Sequence, residues 1–166
     1  MKQFILTALL LTFAINSYSQ VDWSYLNYFK SSGPVSPEYQ YSYVILIKND
    51  RDAHIEYKKF VNGKDSNTYA PFKISKKNFK KLVSLINKSK ILEVDLNTIK
   101  ADKYPIGGKT GYLTVTYSTI LANPTMPDKV LTVPTFVKEE YAKNITKLYT
   151  FIEKLVPKSA WKKVKI

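Results

Sequence analysis

The chain reads as an α+β domain: an antiparallel sheet of about four strands with two helices on one face, in the order β-β-α-β-β-α. Three observations predict this. Residues 39–48, 53–61, 112–118 and 130–133 alternate along the chain and are rich in Val, Ile, Tyr and Thr, the signature of half-buried strands. Two other segments space their apolar residues three and four apart, as an amphipathic helix does. Each strand pair is joined by turn-forming residues and followed by one of these helices, which favours hairpins in an antiparallel sheet with both helices on the same side.

The elements follow in order. Residues 1–19 combine Lys2, an apolar stretch over 4–15 interrupted only by Thr7 and Thr12, and Ser17 and Ser19 at −3 and −1 of a cut before Gln20. That is the three-part pattern of a secretory signal peptide, and the apolar stretch is shorter than the roughly 20 residues a membrane span needs. Residues 20–38 read as a leader. Asp22 caps a turn or two of helix that carries Trp23 and Leu26 onto the core, before Ser31, Ser32, Gly33, Pro34 and Pro37 break it. The domain spans 39–157. Its first strand alternates Tyr41, Tyr43, Ile45 and Ile47 against Ser42, Val44 and Leu46, and a polar turn leads to the second, with Ile55 and Tyr57 opposite His54 and Glu56. Asn62 and Gly63 open a loop that runs to about Ile74. Ser75 caps the first helix, whose stripe is Phe79, Leu82, Val83 and Ile86.

Residues 91–96 read as a short extended piece, and 97–110 as a loop containing Pro105, Gly107 and Gly108. The third strand covers 112–118, and the fourth, 130–133, stops at Pro134. Thr135 caps a second helix with the stripe Val137, Tyr141, Ile145, Leu148, Ile152 and Leu155, ended by Pro157. Residues 158–166 form a basic tail in which Trp161 and Val164 can dock back onto the domain.

Composition narrows the function. The 166-residue chain carries a formal charge of +13, and nearly all of its cations are lysine; Arg51 is the single arginine. Base and phosphate readers favour the planar fork of arginine, so a lysine excess in an exported protein argues against nucleic acid; it reads first as a solvated surface, with an anionic envelope surface or an acidic protein partner as the alternative. There is no cysteine, so the fold rests on packing without disulfides, and no cofactor motif is present.

Several constellations invite a chemical reading. Gly108, Lys109 and Thr110 resemble the end of a phosphate-binding loop, but Lys103 occupies the position of its first glycine and a strand follows where a helix is needed. Asp52, His54 and Glu56 share one strand face, yet three successive outward residues converge poorly and no second histidine completes a metal site. Glu93 and Asp95 sit side by side rather than across a cleft, which argues against glycoside hydrolysis. The sequons at Asn87 and Asn144 fall on helices. No nucleophile elbow occurs.

Two features point to binding instead. Residues 66–92 contain lysines and no acid, and Lys76, Lys77, Lys80 and Lys81 crowd the first two turns of the first helix. There they oppose the helix dipole, a broken local rule that hints at function. Tyr39, Tyr41 and Tyr43 line one face of the first strand, an aromatic strip suited to a protein interface or a sugar ring.

The layout resembles small exported α+β modules of the PepSY and β-lactamase-inhibitor-protein type. The ending Leu155, Val156, Pro157 with Trp161, the cut before Gln20 and the Lys/Asn/Ile/Tyr-rich composition resemble small secreted domains of Bacteroidetes. The resemblance implies an exported module and carries no activity. The expectation is therefore a non-enzymatic binding module, periplasmic or secreted and without a transmembrane anchor. An inhibitor or immunity-type protein engaging an acidic envelope protein fits it best, with an envelope-surface or glycan-binding protein as the alternative and an enzyme third.

Overall fold

The computed structural model describes residues 23–61, 64–103, 109–117 and 129–165. The expected signal peptide, Asp22 and the glycines of the 97–110 loop lie outside them. The strands are β1 (Tyr25–Ser31), β2 (Tyr41–Lys48), β3 (Asp52–Val61), β4 (Lys64–Lys73), β5 (Thr110–Tyr117) and β6 (Lys129–Val133). The helices are α1 (Lys76–Ser89), α2 (Glu139–Leu155) and α3 (Lys158–Val164), with a 3-10 turn at Pro37–Tyr39. One six-stranded sheet runs β4-β3-β2-β1-β5-β6, every neighbouring pair antiparallel.

This corrects the expected four strands and two helices in the order β-β-α-β-β-α. The supposed leader contains β1, one of the two central strands. It pairs with β2 on one side and β5 on the other, so its backbone groups are consumed on both edges, and no helical turn forms around Leu26. The supposed loop before Ile74 contains β4, an edge strand, where Pro71 is tolerated because one side of the strand makes no ladder. The basic tail contains α3. Residues 91–96 are turns rather than an extended piece.

The second large helix starts at Glu139, not at Thr135. Residues 136–138 instead bond the 99–101 segment: Ala101 N–H donates to the Phe136 carbonyl at 3.0 Å and Lys138 N–H to the Ile99 carbonyl at 2.8 Å. Val137 pairs with Lys100 as an isolated bridge. Glu139 and Glu140 then fill the first turn, where negative charge favours the helix dipole. α1 spans its expected residues, with the Ser75 hydroxyl accepting from the Asn78 N–H at 3.3 Å.

The register puts Leu26, Tyr28, Tyr43, Ile45, Ile47, Ala53, Ile55, Ala70, Leu113, Val115 and Val133 on one face, and all of them are buried. The apolar stripes of the helices join the same core: Phe79, Leu82 and Ile86 from α1, Ile145, Leu148 and Ile152 from α2, Ala160 and Val164 from α3. All three helices therefore cover one face of the sheet. The other face carries Phe29 stacked on Tyr112 at 5.0 Å and His54 against Tyr69 at 4.8 Å. Among the described residues no helix is long and apolar enough to cross a membrane.

Candidate functional site

At one end of the covered face, α2 stands away from β1 and the start of β5 and leaves a cleft of about 500 Å³. Tyr28 and Lys30 alternate onto its floor from β1, two residues apart on the same side of the strand. Ile145, Tyr149 and Glu153 descend from α2 at the four-residue spacing that aligns one helix face. Gly111, opposite Lys30 in the ladder, keeps the floor open: a Cβ there would sit 3.1 Å from the Phe29 carbonyl oxygen and 3.5 Å from the Tyr28 hydroxyl.

Glu153 organises this end. Its Oε1 accepts from Lys30 Nζ at 2.6 Å, the Tyr28 hydroxyl at 2.8 Å and the Tyr43 hydroxyl at 3.0 Å. Burial alone would raise the Glu153 pKa. The hydrogen bonds from Lys30 and Tyr28, the Lys30 charge and the Tyr43 bond outweigh it, and the carboxyl is held below its ordinary 4.5. Burial, reinforced by bonding to and charge on Glu153, pushes both tyrosine hydroxyls well above their ordinary value, so they remain donors. A carboxylate ionised near neutral pH and two unionised phenols can hold a ligand. They are poorly poised to exchange protons near neutral pH.

Tyr149 adds an anomaly. Its hydroxyl is buried with no hydrogen-bond partner among the described residues. Burial raises its pKa, and the Leu113 backbone opposes that in part without reaching hydrogen-bond geometry. An unsatisfied buried hydroxyl costs about 1–3 kcal/mol.

The residues singled out from sequence fall elsewhere, with one exception. Tyr43 is buried and belongs to the Glu153 cluster, so it supports the site from beneath rather than offering an outer surface. Tyr41 packs against both Tyr43 and Tyr57, at 6.4 and 5.9 Å, and those two rings are 6.3 Å from each other. Tyr39 lies in the 3-10 turn, off the strand and 70% exposed, so the three tyrosines do not form one strip. Lys76, Lys77, Lys80 and Lys81 are all exposed on α1, and Lys81 Nζ lies 5.0 Å from the Phe151 ring centroid.

Asp52 is taken by Lys73 at 2.7 Å, while His54 stands 3.6 Å from Glu56, so the three do not converge. Among the described residues no group of three metal-ligating side chains forms. Burial, with help from Lys48 and against Glu56, holds the His54 pKa below its ordinary 6.5. Asp95 closes a turn by accepting from the Asn97 N–H, and Lys109 leads directly into β5 rather than a helix. Asn144 on α2 donates to the Lys88 carbonyl at 3.3 Å, tying the two sequon-bearing helices together.

Sequence reasoning missed Lys30, Tyr28, Tyr149 and Glu153. Glu153 is as far as 125 residues from the groups that bond it, and no local spacing encodes such a cluster. Compared with known proteins, the chain matches no family model and no curated sequence.

Proposed function

We propose that this chain is an exported, non-enzymatic binding module, periplasmic or secreted after cleavage before Gln20, that engages an acidic protein of the envelope through α1. One observation carries the reading. Lys77, Lys80 and Lys88 are exposed on α1, no acid among the described residues pairs with them, and the first turn of the helix contains no acid at all. The opposite stripe of the same helix is spent on the core, so the cationic face is the part left for recognition. A rigid one-sided domain with a charged outer helix suits an inhibitor or immunity-type role.

The test is retention of envelope proteins on immobilised wild type and on the K77E/K80E double variant at graded salt. A defined acidic protein should be held by the wild type, released as salt rises, and lost from the variant. Equal retention on both would remove α1 as the binding face.

A further inference from the structure

We propose that the cleft between α2 and the β1/β5 floor is a second, independent binding site, and that its ligand is an acidic oligosaccharide, a chain of sugars bearing carboxylates. The lining sets the charge. Lys103 and Lys109 stand at the cleft beside Lys30, against a single acid, Glu153. Among the described residues the bonds that Glu153 makes all end on Oε1, which is already engaged by one cation and two phenols. Lys103 and Lys109 make no ion pair among the described residues. The cleft as a whole therefore attracts an anion.

The remaining polar groups ask for hydroxyls. Thr146 and Thr150, one turn apart on α2, present exposed side-chain hydroxyls that make no hydrogen bond among the described residues, and Oε2 of Glu153 takes no bond there. A ligand that both donates and accepts at several points satisfies such a wall. A simple anion does not.

Shape and floor decide the class further. Phe136 lies on the wall of the cleft. It also borders a second hollow of about 460 Å³ that shares Thr110 and Thr135 with the first, so adjoining units of one chain can occupy both. β1 and β5 are paired on both edges, which leaves no free backbone for a peptide to extend the sheet. The cleft has no arginine fork for a phosphate.

The experiment is calorimetric titration of the protein with trigalacturonate, with a neutral trisaccharide, triglutamate and inorganic phosphate as parallel probes. Trigalacturonate should bind at least about tenfold tighter than each of the others, a margin of one decade in Kd. K103E/K109E and T146V/T150V should each weaken it by about tenfold or more, with melting temperature unchanged in both. K77E/K80E should leave it unchanged, which separates this site from the helix face. Binding of the neutral sugar as tightly as the uronate would overturn the proposal. Triglutamate binding as well would replace the saccharide with an acidic peptide, and phosphate binding as well would reduce the cleft to a general anion trap. Trigalacturonate binding untouched by the cleft variants would place the ligand elsewhere.

Discussion

Three donors on one carboxylate oxygen make Glu153 the most consequential single residue. Replacing it with glutamine keeps the shape and removes the charge, so Lys30 loses its counter-ion while the phenols keep an acceptor. The E153Q variant should be less stable by about 1–2 kcal/mol near neutral pH, since charge-assisted hydrogen bonds are roughly twice as strong as neutral ones. The folded pKa lies below the ordinary 4.5. Its stabilisation is therefore complete above about pH 4.5 and is lost as pH falls through the folded value. Urea unfolding from pH 7 to 3 should show the wild type and E153Q converging only in that acid range; a constant gap would mean the charge contributes nothing. His54 acts in a different window. Its folded pKa is below 6.5, so protonation favours the unfolded chain and stability starts to decline as pH drops through about 6.5, equally in both proteins. Tyr149→Phe makes the complementary case. It removes an unpartnered buried hydroxyl and should leave thermal stability unchanged or raise it by up to about 1 kcal/mol. A clear loss on melting would reveal a bond that the hydroxyl makes after all.

At the scale of elements, α3 is the clearest case of a segment whose role exceeds its length. Trp161 meets Tyr43 edge-on at 5.1 Å, Val164 is fully buried, and the Val164 carbonyl accepts from the Thr68 hydroxyl at 2.7 Å. It covers the β4 side of the core and supports, through Tyr43, one of the three donors to Glu153. Trp161→Ala should destabilise the fold by about 2–3 kcal/mol, at or just below the range for buried aromatics because the ring is partly exposed. Chemical denaturation measures this directly; a change under 0.5 kcal/mol, on the order of a surface substitution, would make α3 an appendage. The tryptophan and valine that dock were legible in the sequence, as were Ser75 capping α1 and the stripe on α2. β1 was not. It is central, so Tyr25 and Phe29 on its outer face are as apolar as Leu26 and Tyr28 on its inner face, and the period-two signal cancels. β4 was hidden for the opposite reason: only Ala70 is buried along it, and its polar residues with Pro71 look like a loop until an edge position explains them. The Glu153 cluster was illegible because topology assembles it. β1, β2 and α2 each contribute ordinary residues whose significance appears only once the sheet order makes β1 and β2 neighbours under one helix.

For the whole molecule, the position of Trp23 links the fold to the proposed export. Trp23 is 2% exposed and its ring lies 5.8 Å from that of Phe79, so the core extends at least two residues before β1. A signal-peptide cut before Gln20 leaves this residue and a short polar lead-in on the mature chain, whereas a cut only a few residues later would strip a core aromatic. The cut proposed from Ser17 and Ser19 therefore keeps Trp23 on the mature chain. Expression of the full chain in a host with a general secretory pathway should yield an exported protein whose intact mass corresponds to residues 20–166. A chain begun at Gln20 should melt at the same temperature as that product. One begun at Ser24 should be less stable by about 3 kcal/mol, the low end for losing a buried tryptophan. An uncleaved product retained in the cytoplasm would remove the envelope as the place where either binding site meets its partner. Equal stability of the two shortened chains would show that Trp23 only rests on α1.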